Sequence, residues 1–286
     1  RGTVVIGEGE MDEAPMLYIG EQVGTGSGPE VDVAVDPLEG TEIVAKGLNN
    51  AMSVVAIAPK GKLLHAPDMY MEKLAVGPAL AGKLNLLDPV EVNIRRAAEH
   101  LGKKVADLTV MILERKRHEE LIGRLRRIGV RIKFLHAGDV AGALAPCFPE
   151  TGIDMYVGSG GAPEGVLAAA AMKTLGGELQ GRLMPADGEE YVRCVKMGIE
   201  DPYRVLTMDD MAGDGDVIFA ATGVTPGEFL GGVRYLGDDR AETHSIVMRA
   251  KTRTIRQIRA LHYLPSKTLL QQLEQPASEP RVAEQC

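Results

Sequence analysis

The sequence predicts an α/β fold, because short runs of β-branched and other apolar residues alternate along the chain with segments of helical periodicity. The runs predicted as strands are residues 4–6, 31–35, 52–58, 110–113, 130–135, 153–157 and 217–221. The spacing of apolar residues predicts helices over 90–101, 118–128, 164–175 and 189–197. The chain of 286 residues is long enough for one large domain or two ordinary ones.

A domain boundary is predicted near residue 108, where a Gly-Lys-Lys segment precedes a new strand-helix-strand series. We therefore expect one domain over residues 1–108 and a second over residues 109–265. From residue 216 onward, β-runs separated by glycines predict closely spaced strands that close the second domain. The segment 266–286 is rich in Gln, Glu, Pro and Ser, which is typical of a mobile tail.

Composition excludes several classes of partner. The formal net charge is -8, so there is no basic surface of the kind that binds nucleic acid. No run approaches the roughly 20 apolar residues that cross a bilayer, so no membrane partner is expected. The three cysteines, Cys147, Cys194 and Cys286, lack the spacing of metal ligands and favour a reducing, cytoplasmic location.

The segment VDPLEGT follows a predicted strand and places two carboxylates around a proline. Asp-Pro and Glu-Gly are also ordinary turn chemistry, and a simple turn is the alternative reading. Pro37 blocks regular strand pairing, which allows Asp36 and Glu39 to turn toward one point. Converging carboxylates suit a hard cation such as Mg²⁺ or Mn²⁺. Gly40 and Thr41 then offer backbone N–H groups to an anion at a predicted helix start.

A second acidic group follows the first strand in IGEGEMDEAP, and its acids are Glu8, Glu10, Asp12 and Glu13. A solvated acidic loop is the alternative. Glycines flank Glu8 where the strand ends, which permits close approach to another loop. If the strands over 4–6 and 31–35 are neighbours, the two acidic groups emerge at the same edge of a sheet.

A third carboxylate is Glu164, at the start of the alanine-rich segment GGAPEGVLAAAAMKTL. The preceding Gly158-Ser159-Gly160 is similar to a dinucleotide-binding loop, but Pro163 stands where the third glycine of that motif belongs, so the match fails. Glu164 is interpreted either as a favourable charge in the first helical turn or as a carboxylate supplied to a site by the second domain.

Seven segments in order carry a family resemblance: VVIGEGEMDEAPMLYIGE, VDPLEGT, MYMEKLAVGP, ERKRH, GGAPEG, ATGVTPGEFLGGVRY and THSIVMR. Together they resemble class II fructose-1,6-bisphosphatase over roughly residues 1–264, within a superfamily of lithium-sensitive, metal-dependent sugar and inositol phosphatases. The resemblance implies a layered α-β-α-β-α sandwich with the site between its two halves. It also implies hydrolysis of the 1-phosphate of fructose 1,6-bisphosphate in gluconeogenesis, with Mn²⁺ or Mg²⁺ as cofactor, and we expect a homo-oligomer.

The resemblance assigns roles to individual residues. The implied metal ligands are Glu8, Asp36, Glu39 and Glu164. The implied catalytic residues are Asp12, Asp36 and Thr41, whose hydroxyl orients the attacking water. The implied substrate contacts are Glu39, Gly40, Thr41, Tyr70, Arg115, Lys116, Arg117, Asp139 and Gly161. The basic triplet 115–117 suits bidentate capture of the phosphate that does not react, although a solvated charge run is the alternative.

Three departures from the family pattern leave other functions open. Family members carry, before the GTVVIGEGE strand, a segment with a further metal-binding aspartate, so one metal site is expected to be incomplete here. Ala137 replaces the first acid of an Asp-Gly-Asp group that ends in Asp139, and Arg115 stands where lysine is common. The alternatives are a sugar-phosphate-binding module with impaired catalysis, an inositol-type monophosphatase and a dual fructose and sedoheptulose bisphosphatase.

Overall fold

The computed structural model describes residues 1–8 and 16–267. Its strands are β1 (Gly2–Ile6), β2 (Gln22–Val23), β3 (Val31–Glu39), β4 (Met52–Pro59), β5 (Tyr70–Val76), β6 (Thr109–Leu113), β7 (Arg131–Leu135), β8 (Met155–Gly161), β9 (Glu178–Leu183), β10 (Ile218–Gly223), β11 (Arg234–Gly237), β12 (Arg240–Arg249) and β13 (Thr254–Tyr263). Its α-helices are α1 (Thr41–Ala45), α2 (Val90–Leu101), α3 (Glu119–Ile128), α4 (Asp139–Leu144), α5 (Ala162–Leu175), α6 (Gly188–Lys196) and α7 (Met208–Ala212).

Two sheets organise the described residues. The first has the order β11-β12-β10-β4-β3-β1-β2, with β13 paired to β12, and the second has the order β7-β6-β8-β5-β9. The expectation that the strands after residue 216 close the second domain is wrong, because β10 pairs with β4 in the first sheet. The second sheet includes β5, which precedes residue 108, and the first sheet includes β10, which follows it. Neither sheet therefore follows the predicted boundary at residue 108. The division into 1–108 and 109–265 stays a prediction about domains.

The helices fill the space between the sheets and cover the outer face of the second. Helix α5 is buried almost all round and contacts strands of both sheets, including β4 and β9. A helix that is apolar on every side is stable only when it is buried in the core. The alanine-rich sequence of α5 fits this position. Helices α2 and α3 pack over the other face of the second sheet and form a separate apolar cluster there. The α/β class is confirmed, and the two sheets with their packed helices are consistent with the predicted layered sandwich.

Several elements agree closely with the sequence. Helix α2 has the predicted bounds, and α3 and α6 differ from theirs by one residue. Strands β1 and β3 pair in parallel, so Glu8, which follows β1, and Asp36, in β3, lie at the same edge of the sheet. The pairing of β3 with β4 shifts between Asp36 and Glu39, on either side of Pro37, because proline cannot donate to the ladder.

Two expectations lie wholly or partly beyond the described ranges. Asp12, like the rest of residues 9–15, is outside them, and so is the predicted tail from residue 268 onward. Within the described residues, no helix is long and apolar enough to cross a membrane.

Candidate active site

Two of the predicted carboxylates meet where parallel strands end. Glu8 follows β1, and Asp36 lies in β3, the parallel neighbour of β1. Glycine at position 7 is required by the local packing, because a Cβ there would lie 1.9 Å from the carbonyl oxygen of Leu17. The Asp36 side chain accepts a hydrogen bond from the Leu38 backbone N–H at 3.0 Å, which fixes one of its oxygens.

The third carboxylate reaches the same place from the middle helix layer. Glu164 lies in the first turn of α5 and lines one pocket together with Glu8 and Asp36. Asp68 and Arg193 line this pocket as well. We call it the acidic pocket, defined by Glu8, Asp36, Asp68 and Glu164. Side chains from separate segments of the sequence therefore converge, as the carboxylate interpretation requires.

The carboxylates in and beside this pocket repel one another electrostatically. Burial, followed by the negative charge of Glu164, raises the pKa of Asp36 to about 6, and the charge of Glu8 adds to the shift. Burial also raises the pKa of Glu39 well above its usual range, and nearby Glu164 raises it further. Burial raises the pKa of Glu164, although the Lys73 ammonium opposes that shift. Such a site gains most from a ligand that brings positive charge.

Glu39 gives a direct test of whether a cation fits. Its side chain is 3 % exposed, and Oε1 accepts from the Val140 N–H at 3.2 Å. Its other oxygen, Oε2, is buried and has no hydrogen-bond partner among the described residues. An unpaired buried carboxylate oxygen is costly, and a divalent cation satisfies it. Within residues 1–8 and 16–267, no group of three or more Asp, Glu, His or Cys side chains is placed so that it could hold a metal ion.

A second pocket adjoins the first and shares Glu164 with it. We call it the arginine pocket, defined by Tyr70, Arg115 and Arg117. Its other lining residues are Glu39, Gly40, Leu113, Ala137, Gly138, Asp139, Gly160, Gly161 and Glu164. An anionic ligand that spans both pockets would have one end beside the carboxylates and the other end beside two guanidinium groups.

The basic triplet 115–117 separates in space. Arg115 donates to Glu42 Oε2 at 3.1 Å, and Arg117 lies over the Tyr70 ring with its Cζ 4.3 Å from the ring centroid. Lys116 does not line the arginine pocket and instead lines a groove on the outside of α3, beside Arg126. The structure therefore brings two of the three predicted phosphate contacts into the pocket.

Asp139 is held by groups inside the protein. It begins α4, is 6 % exposed, and accepts from the Lys73 ammonium through Oδ2 and from the Tyr156 hydroxyl through Oδ1. Lys73 also donates to the carbonyl oxygen of Gly161 at 2.6 Å. Both carboxylate oxygens of Asp139 thus have internal partners, and Lys73 ties β5 to α4 and to the end of β8. A sugar contact by Asp139 stays a prediction.

Glycines leave room for the carboxylates. A Cβ at Gly160 would lie 2.1 Å from Asp139 Oδ2, and a Cβ at Gly161 would lie 2.0 Å from Glu164 Oε2. Gly40 has a φ of 92°, a left-handed conformation that glycine adopts readily, and the exposed Thr41 begins α1 directly after it. Gly40 and Gly161, two of the predicted substrate contacts, thus lie in the wall of the arginine pocket.

Sequence reasoning missed four residues at or beside these pockets. Asp68 has an acidic side chain in a Pro-Asp turn, a pattern that also occurs in many loops. Lys73 and Ser159 are polar positions in apolar strands, a signal that is visible in the sequence but does not identify the partner. His118 is a lone histidine in the sequence, but in the structure it is buried and its ring contacts Ser159.

Comparisons with known proteins identify the family of this chain. The sequence model of a family described as "Bacterial fructose-1,6-bisphosphatase, glpX-encoded" matches residues 1–262. Escherichia coli (strain K12) "Fructose-1,6-bisphosphatase 1 class 2" is 48% identical over 279 residues, covering 93% of this chain and 82% of the relative. The "Fructose-1,6-bisphosphatase class 2" of Haemophilus influenzae is 45% identical over 274 residues, covering 91% and 82%.

A Synechococcus relative carries a broader name. It is called "D-fructose 1,6-bisphosphatase class 2/sedoheptulose 1,7-bisphosphatase" and is 45% identical over 286 residues, covering 92% of this chain and 82% of the relative. The predicted family and the predicted enzyme class, a phosphoric monoester hydrolase, are confirmed by these matches. The chain belongs to the bacterial glpX-encoded class II fructose-1,6-bisphosphatase family.

Proposed function

We propose that this chain hydrolyses fructose 1,6-bisphosphate to fructose 6-phosphate and inorganic phosphate, in gluconeogenesis. The observation that supports this most strongly is the position of Glu164 in the walls of both pockets. A bisphosphate with its 1-phosphate beside the acidic pocket would have its other phosphate near Arg115 and Arg117. An inositol-type monophosphate has no second phosphate for these arginines to bind.

Divalent cations, Mn²⁺ or Mg²⁺, are proposed to bind through Glu8, Asp36 and Glu164 of the acidic pocket and through Glu39, which lines the adjoining arginine pocket. Such ions neutralise phosphate charge and make a bound water more acidic, which is the chemistry that hydrolysis of a phosphate monoester needs. Glu39 is suited to this role because its Oε2 is buried without a partner in the described residues. The choice between the two metals, the cytoplasmic location and the homo-oligomeric state stay predictions from the sequence.

The protein's own groups are proposed to position the reactants. The Thr41 hydroxyl orients the attacking water, whose oxygen bonds to phosphorus while the bond from phosphorus to the C1 oxygen breaks. The sugar oxygen takes up a proton, and the phosphate leaves as the second product. Gly40 and Gly161 leave the pocket wall open to the substrate, and Asp12 is proposed to support the proton transfer.

The direct test is phosphate release by the purified protein with Mn²⁺ or Mg²⁺ from three substrates: fructose 1,6-bisphosphate, fructose 1-phosphate and inositol 1-phosphate. The proposal predicts a clear preference for the bisphosphate and loss of turnover with a chelator. Preference for inositol 1-phosphate would favour the inositol-type alternative. Thermal stabilisation by the bisphosphate without any phosphate release would favour the module with impaired catalysis.

A dual activity is the second candidate, and the name of the Synechococcus relative favours it. Sedoheptulose 1,7-bisphosphate also carries a phosphate at each end of a sugar, so the same two pockets would receive it. Turnover of both bisphosphates in the same assay would support the dual function, and turnover of the fructose compound alone would exclude it.

Arg117→Ala gives a prediction about the distal phosphate. That phosphate is bound alike before and during the reaction, so losing its contact weakens ground-state and transition-state binding equally. The KM for fructose 1,6-bisphosphate is expected to rise at least about tenfold, because hydrogen bonds to charged groups are worth about 1.5–3 kcal/mol, while kcat stays nearly unchanged. Steady-state kinetics measure both constants.

The matched control for Arg117→Ala is Arg126→Ala, since Arg126 lies on the outer groove beside Lys116 and does not line the arginine pocket. Its KM should equal that of the unmodified enzyme. An unchanged KM in the Arg117 variant would remove the proposed distal-phosphate contact.

A further inference from the structure

Arg117 reaches the arginine pocket in a fixed pose. Its Nε donates to Ser159 Oγ at 3.0 Å, and its Nη2 donates to the Ser159 carbonyl oxygen at 2.7 Å. The guanidinium also stacks over the Tyr70 ring, with 4.3 Å between Cζ and the ring centroid. A free arginine side chain loses conformational freedom when it binds an anion, and these contacts remove most of that loss in advance.

Ser159 is itself held by a buried histidine. The Ser159 backbone N–H donates to His118 Nε2 at 2.8 Å, so Nε2 carries a lone pair and the ring proton is on Nδ1. Nδ1 lies 2.8 Å from the Leu113 carbonyl oxygen and donates to it. Ser159 Oγ lies 3.0 Å from the same nitrogen and accepts the Nε–H of Arg117.

Three hydrogen bonds in this series have a defined direction. Arg117 Nε donates to Ser159 Oγ, the Ser159 N–H donates to His118 Nε2, and His118 Nδ1 donates to the Leu113 carbonyl oxygen. Burial lowers the pKa of His118, which keeps the ring in the neutral form that this direction requires. The His118 side chain is 3 % exposed, so water does not compete for these contacts.

Two glycines allow the histidine and the strand to approach. Gly158 has a φ of +134°, and a Cβ there would lie 3.0 Å from His118 Cε1. A Cβ at Gly160 would meet the Asp139 carboxylate at 2.1 Å. The Gly-Ser-Gly sequence that fails as a dinucleotide loop thus has a different structural use: it presents one hydroxyl and one carbonyl oxygen to an arginine.

We propose that Ser159, oriented by His118, is a positioning residue that holds Arg117 in the pose that binds the distal phosphate. Within the described residues, Arg117 Nη1 has no hydrogen-bond acceptor, so its N–H groups remain for an anion in the pocket that Arg117 lines. Ser159 thereby sets the preference for bisphosphates over monophosphates. The inference rests on the proposed function, in which the distal phosphate lies at Arg117.

The experiment compares Ser159→Ala with the unmodified enzyme on fructose 1,6-bisphosphate and on fructose 1-phosphate, which lacks the distal phosphate. The KM for the bisphosphate is expected to rise about tenfold in the variant, since one hydrogen bond to a charged group is lost. Its kcat should stay within about twofold, because the distal phosphate is bound alike in the ground and transition states. The KM for fructose 1-phosphate should not change.

Two further variants of the enzyme make the test specific. Ser159→Cys fills nearly the same space but accepts hydrogen bonds weakly, so it should show the same rise in KM if Ser159→Ala folds poorly. Ser245→Ala is the matched control, because Ser245 also gives one hydroxyl contact, at 2.8 Å to Thr222, on a strand that lines neither pocket. Melting temperatures of all variants separate loss of stability from loss of binding.

An unchanged KM for the bisphosphate in both Ser159 variants would overturn the inference. An equal rise for the two substrates would also overturn it, because the effect would not depend on the distal phosphate. The unmodified enzyme is measured first, before any variant. If it hydrolysed fructose 1-phosphate as efficiently as the bisphosphate, the proposed function itself would fail.

Discussion

Asp36→Asn is expected to lower kcat for fructose 1,6-bisphosphate by at least about a thousandfold while the metal-free protein keeps its fold. Asparagine keeps the shape of the side chain and can still accept the Leu38 N–H at Oδ1. It removes a negative charge that burial and the neighbouring Glu164 and Glu8 disfavour. The melting temperature without metal should therefore stay the same or rise.

The matched control is a second Asp→Asn substitution on β3, the strand that carries Asp36. Asp32→Asn changes a buried aspartate of β3 whose Oδ2 accepts from the backbone N–H groups of Lys62 and Leu63, outside both pockets. It should keep turnover and lose stability instead. Normal turnover of Asp36→Asn with Mn²⁺ would show that Asp36 has no part in the reaction.

Lys73→Met is expected to lower the free energy of unfolding by about 3–5 kcal/mol, the usual cost of leaving one partner of a buried ion pair alone. Lys73 is 1 % exposed and donates to Asp139 and to the Gly161 carbonyl oxygen. Methionine fills most of the space but leaves the Asp139 carboxylate without its counter-charge. Urea unfolding of the metal-free variant measures the loss.

A double variant separates the missing charge from the change in packing. Lys73→Met combined with Asp139→Asn removes both charges, so its loss should be smaller than the sum of the two single losses by at least about 1 kcal/mol. Lys173→Met is the control. Lys173 also donates hydrogen bonds to an aspartate (Asp209) and to a glycine carbonyl oxygen (Gly213), but it lines neither pocket. Additive losses in the double variant would contradict a direct ion pair.

The sequence predicted best where local chemistry determines structure. The apolar periodicity of α2 defined its bounds, and Pro37 marked the break in pairing between β3 and β4 because a proline lacks the N–H that a ladder needs. The carboxylates beside the strand ends were also visible, since parallel neighbours place equivalent ends at one edge. These inferences need only nearby residues and one assumption about strand neighbours.

The sequence predicted least where the structure depends on residues that are far apart in the sequence. Strand β8 continues through Gly158, Ser159 and Gly160, although these residues read as a loop, because Tyr70 to Val76 of β5 pairs along the whole segment. The charge of Lys73 inside β5 is understandable only beside Asp139, which lies 66 residues later. Partners at such separations are set by the packing of the two sheets, and one sequence does not reveal that packing.

The most direct test of the central claim is anomalous X-ray diffraction from crystals soaked in Mn²⁺. The claim is that carboxylates from separate segments hold divalent ions beside the pocket that receives the reacting phosphate. It predicts anomalous peaks within coordination distance of Glu8, Asp36, Glu39 and Glu164. Manganese bound only elsewhere, in crystals of protein that hydrolyses fructose 1,6-bisphosphate with Mn²⁺, would contradict it.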